Sequence, residues 1–117
     1  MRDTIDPVVL KAVVGGDMTI ARELIEDFLP SARTDVAQIQ RAVAELRLEE
    51  VRATSHKLKG AASLVGARLL IALCVELQGA ATGRDSILAT RLAVQLDDRL
   101  REVETALESF LRQAASE

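Results

Sequence analysis

The chain of 117 residues contains one histidine, His56, and its neighbours are of types that suit group transfer. Lys57 and Lys59 stand beside it, Gly60 follows one helical turn later, and Arg52, Ala53 and Ser63 fall at offsets that share or border its side of a helix. Neutral imidazole is a competent nucleophile near pH 7, and a neighbouring ammonium offsets the charge that a phosphoryl group brings. Residues 47–68 hold Arg47, Arg52, Lys57, Lys59 and Arg68 against Glu49 and Glu50, a net charge of +3 that leaves -6 on the remainder of the chain. This stretch can therefore accommodate an anion, although the whole chain is acidic at net -3. Taken alone, His56 reads as an idle surface histidine; its combination with Lys59, Gly60 and Gly66 is what points to chemistry.

Those residues need a helix to hold them. Ala and Leu occupy 35 of the 117 positions, against 2 aromatics, 6 Gly and 2 Pro, a composition that favours helix throughout. No stretch alternates apolar and polar residues between turn signals, so a sandwich or barrel is excluded. Asp6-Pro7 starts a short helix that Gly15-Gly16 stops after Val14. Asp17 caps a second, in which Ile20, Leu24, Phe28, Ala32, Val36, Ile39, Val43 and Leu46 mark one face, so that a single helix kinked at Pro30 is expected over 18–46. Phe28 suits either the core or an apolar docking patch. The stripe then changes phase, which places a turn near Glu45 to Arg47. A third helix follows through Leu48, Val51, Ser55, Leu58, Ala62 and Val65, with Gly66 past its end. Ala67 to Ala81 forms a mostly buried fourth, with Cys74 as a small core residue and Gly79 and Gly83 marking its end. Leu88, Leu92, Leu96, Leu100, Val103, Leu107 and Phe110 or Leu111 describe a last helix of about seven turns. The polar end from Gln113 to Glu117 is expected to fray.

Short connections between long helices favour antiparallel neighbours. The expected fold is all-α: an antiparallel up-down four-helix bundle with a short additional N-terminal helix, residues 1–117 forming one domain. With Val51, Leu58, Ala62 and Val65 facing inward, His56 points about 130° from the core and Gly60 about 170° at 100° per residue. A glycine inside a helix costs about 1 kcal/mol relative to alanine, so Gly60 implies that something needs the space. Lys57 alone reads as part of a solvated face, and Ser63 serves equally as a solubilising residue.

Several functional classes fall away. The negative net charge and the absence of Tyr and Trp speak against nucleic-acid binding. Cys74 has no partner cysteine for a disulfide or a metal cluster, and no acidic cluster near His56 suits Mg²⁺. No glycine-rich nucleotide loop occurs. No apolar run approaches the roughly 20 residues of a membrane span, and the N-terminus lacks the pattern of a leader; a monomer in the cytoplasm is expected.

The stretch His56-Lys57-Leu58-Lys59-Gly60-Ala61-Ala62-Ser63-Leu64-Val65-Gly66-Ala67 closely resembles the signature of the histidine-containing phosphotransfer (Hpt) domains of bacterial two-component phosphorelays. Ile5-Asp6-Pro7, the Gly15-Gly16-Asp17 break and the long helix with Phe28 and Pro30 are also similar to that family. The resemblance implies that His56 accepts a phosphoryl group from a receiver-domain aspartate and passes it to another receiver. Lys59 would help hold the phosphoryl oxygens and Gly60 would give clearance to the docking receiver, with Arg52, Ala53, Lys57 and Ser63 on the contact surface. Receiver domains of response regulators, or a hybrid histidine kinase, would be the partners. The chain would be a carrier without kinase activity or cofactor, Mg²⁺ residing on the receiver. One departure from the family pattern is Glu45-Leu46-Arg47, at a turn where Gly or Asp is frequent. Two other readings stand beside it. In the phosphoacceptor region of a sensor kinase, an acidic residue usually follows the histidine and a proline lies one turn on; here Lys57 follows and no proline occurs after residue 30. A non-catalytic helical adaptor would leave Gly60 without a purpose.

Overall fold

A computed structural model describes residues 4–116. Its helices are α1 (Pro7–Val14), α2 (Met18–Ala44), α3 (Leu48–Leu64), α4 (Arg68–Thr82), α5 (Ser86–Ala93) and α6 (Leu96–Ser116), and no strand occurs among the described residues. The first two helices start at side-chain caps. Asp6 Oδ1 accepts from the Val8 N–H at 3.0 Å with Pro7 at the first helical position, and Asp17 Oδ1 accepts from Thr19 and Ile20. Gly15 and Gly16, at φ 63° and 79°, supply the left-handed turn between α1 and α2.

The four long helices form a ring in which α2 packs on α3, α3 on α4, α4 on α6 and α6 on α2, while α1 lies against α2 and α3. This is the expected four-helix bundle with its short N-terminal helix. Its core takes Ile25, Phe28, Ile39, Leu58, Leu70, Leu77, Leu96 and Leu107, all buried. Phe28 is thus a core residue, and so is Cys74. Pro30 sits inside α2 without ending it, on the exposed side, at the cost of one helix hydrogen bond.

Five expectations need correction. The last helix is two: the chain turns at Val94-Gln95, so α5 packs on α2 and α4 before α6 begins. The apolar stripe crosses that break at the helical step from Leu92 to Leu96, both buried, which hid it. The inward face of α2 runs through Ala21, Ile25, Phe28, Ala32, Asp35, Val36, Ile39 and Ala42, whereas Ile20, Leu46 and, on α5, Leu88 are exposed. The fourth helix, expected to be mostly buried, buries one face and leaves Leu69 and Val75 exposed. Gly79 lies within α4 rather than at its end, which Gly83 caps. Finally, α6 continues to Ser116, so only Glu117 of the expected frayed end lies outside the described residues.

Candidate functional site

The site is built on α3, whose inward residues Val51, Thr54, Ser55, Leu58 and Ala62 are buried and fix the rotation of the helix. That rotation leaves His56 exposed, with Ala53, Lys57, Gly60 and Ser63 also exposed and Arg52 and Lys59 partly buried. A Cβ built on Gly60 meets nothing within 4 Å, and its backbone is ordinary helix. Packing within the chain therefore does not require glycine at this position.

Neighbouring helices reach the site from both sides. From α4, Gln78 Nε2 lies 3.3 Å from His56 Nδ1. From α2, the buried carboxylate of Asp35 accepts from Lys57 Nζ at 3.2 Å. This pair holds Lys57 toward α2. Lys59 makes no ion pair among the described residues. Its charge is felt at Cys74, which burial pushes up to about 12, with Asp35 adding to the rise and Lys59 opposing it. Ser63 Oγ donates back to the Lys59 carbonyl at 2.8 Å. Arg52 is engaged with Glu49 one turn earlier, and its hydrogen bonds hold the Glu49 carboxyl below the usual carboxylate range. Of the residues singled out in the sequence, His56, Lys59, Gly60 and Ser63 thus share one surface, while the charges of Arg52 and Lys57 are committed elsewhere.

Two residues at the site escaped sequence reasoning. Gln78 carried no signal, because its position beside His56 depends on the α3–α4 pairing. Asp35 had one: it falls three residues after Ala32 and four before Ile39, an inward register where a carboxylate is out of place. Gly66 also does more than stop a helix. At φ 67°, a Cβ there would stand 2.8 Å from the Asp6 carbonyl oxygen, whose residue donates its own N–H to the Gly66 carbonyl at 2.8 Å. That close approach ties the start of α1 to the far end of the site helix.

Among the described residues no three His, Cys, Asp or Glu side chains gather as a metal site, and no helix is long and apolar enough to cross a membrane. An exposed imidazole beside an unpaired ammonium, on a helix cleared of one side chain, can carry a phosphoryl group. The family model described as Hpt domain matches residues 23–115. The chain belongs to the Hpt domain family. Its role is histidine phosphotransfer in a phosphorelay, and Hpt domains of two-component systems interact with receiver domains and histidine kinases. The Hpt fold recurs in solved structures. Histidine-containing phosphotransfer protein B (HptB) from Pseudomonas aeruginosa PAO1 superposes with a TM-score of 0.89 at 21% identity, over 97% of this chain and 98% of that one. The Hpt domain of a sensor hybrid histidine kinase from Shewanella gives 0.80 at 24% identity, over 97% of each. No curated protein matches the chain significantly.

Proposed function

We propose that His56 is the phosphorylated residue and that Nε2, the ring nitrogen not facing Gln78, is the acceptor atom. The observation that carries this reading is the exposed imidazole with its Nδ1 3.3 Å from the Gln78 amide on the adjacent helix. With its nitrogen toward the ring, the Gln78 amide donates and Nδ1 accepts. Turned end for end, the amide presents Oε1, Nδ1–H donates to it, and the Nε2 lone pair faces outward, the tautomer a nucleophile needs. Gln78 is then a positioning residue.

The Nε2 lone pair attacks phosphorus of a receiver's aspartyl phosphate. The P–N bond forms, the P–O bond breaks, and the aspartate carboxylate leaves with the electron pair. The ring is left as an imidazolium with Nδ1–H held by Gln78, and that proton is lost to water; the reverse transfer regains it. The transition state is loose, so catalysis rests on placement and charge. Lys59 offsets the phosphoryl charge, Gly60 admits the receiver, and Ala53 and Ser63 border the contact. Arg52 and Lys57 lie at its edge with their charges already partnered. Mg²⁺ is assigned to the receiver, and the chain is a monomeric, cytoplasmic, single-domain carrier without kinase activity.

The test is incubation with a receiver domain charged by acetyl phosphate, followed by a search for acid-labile, base-stable label. Wild type should label, and His56→Gln should not, with helix content unchanged. Label persisting in the variant places the site elsewhere, and labelling of wild type from ATP alone would favour the kinase reading.

A further inference from the structure

Asp35 is a buried charge that the packing of the bundle does not need. Its side chain is 1% exposed, it occupies an apolar register of α2 between Ala32 and Ile39, and its Oδ2 is buried without a hydrogen-bond partner. Its one partner, Lys57 Nζ at 3.2 Å, belongs to a side chain 67% exposed, so water shares the ammonium and the carboxylate is incompletely neutralised. A buried ion pair of this kind is weak support for stability, because taking the charge out of water cancels most of the attraction. An alanine or valine would fill the position at less cost.

Its placement suggests what the charge does. Lys57 is the residue next to His56, so the carboxylate lies one ammonium away from the backbone of the acceptor. Its field crosses the bundle to the α4 thiol of Cys74, where Lys59 opposes it. The core conducts such a field further than water does. Two consequences act in the same direction when a phosphoryl dianion arrives. Asp35 repels the added negative charge, and it retains on α2 a lysine that would otherwise be drawn to the phosphoryl oxygens.

We infer that Asp35, acting through Lys57, sets the phosphoryl-transfer equilibrium by keeping the phosphorylated form of His56 from being over-stabilised, so that the group is given up as readily as it is taken. This rests on His56 being the acceptor. A carrier whose two flanking ammonium groups both held the phosphoryl oxygens would trap the group. With Lys57 engaged, Lys59 alone is left to it.

The measurement is the equilibrium ratio of phosphohistidine to receiver aspartyl phosphate, made with a receiver domain that labels wild type but not His56→Gln. Failure of that labelling would refute the acceptor assignment, and only the ratio bears on Asp35. In Asp35→Asn the ratio should move at least threefold toward phosphohistidine, with the melting temperature unchanged or raised. In Lys57→Met, which uncovers the carboxylate, it should move the opposite way, and the double variant should return to within twofold of wild type. A ratio unchanged in Asp35→Asn, or moved toward the receiver, overturns the inference. Should that variant fail to fold, the Lys57→Met ratio decides by itself: no shift, or a shift toward phosphohistidine, overturns it equally.

Discussion

Gly60 separates the demands of the fold from those of the reaction. Nothing lies within 4 Å of where its Cβ would be, and helix propensity favours any other residue except proline. A side chain there gains about 0.5–1 kcal/mol of stability in isolation. In Gly60→Glu, bulk and negative charge would stand one turn from the imidazole. Transfer from a charged receiver should slow by about tenfold or more, a misplacement effect of ordinary size, while the melting temperature stays equal or rises. Equal transfer rates in rapid-mixing assays would refute the need for clearance. Gln78 makes the complementary case, since its amide lies against the His56 ring. Gln78→Leu removes the group that orients the ring and should lower the transfer rate by about tenfold, in the range of lost proton positioning, with receiver affinity unchanged in titration calorimetry. A loss of affinity instead would make Gln78 a docking residue.

The α2–α3 turn shows what element boundaries owe to backbone conformation. Leu46 adopts φ 58° and is 66% exposed, so a branched side chain occupies the left-handed position that glycine usually fills. Leu46→Gly should therefore raise unfolding stability by about 1 kcal/mol in denaturant titration. Gly66→Ala should lower it by at least that much, because strain at φ 67° adds to a contact of 2.8 Å with Asp6. The sequence made the turn legible through the phase change after Val43, without revealing which residue absorbs the strain. The buried face of α3 and the outward direction of His56 followed from spacing and glycine placement, whereas the dense apolar content of α4 overstated how much of that helix is buried. The Val94-Gln95 break did not, since the stripe passes it in register and no Gly or Pro marks it. Gln78 and Asp35 reach the site from other helices, so their roles depend on tertiary pairing, which local periodicity does not encode.

At the scale of the molecule, the four-helix core encloses Cys74 completely, and its thiol reports on the bundle as a unit. Burial, reinforced by the Asp35 charge, lifts the thiol from 9.0 to about 12. The raised value means the folded state holds its proton where the unfolded chain has lost it. Below about pH 9 both states are protonated and the thiol contributes nothing to the pH dependence. Between about 9 and about 12 the unfolded state binds fewer protons, so stability falls as pH rises, by at most about 1.4 kcal/mol per pH unit. Cys74→Ala should have a lower stability at pH 8, from the lost packing, but a flatter decline between pH 9 and 11. The titrations of lysines common to both proteins cancel in that difference. Alkylation by iodoacetamide at pH 8 should proceed in wild type only at the rate of global unfolding, falling in step with added stability from Leu46→Gly. Rapid alkylation of the native protein, or parallel alkaline declines in the two proteins, would mean that the core opens around Cys74 without the rest of the bundle.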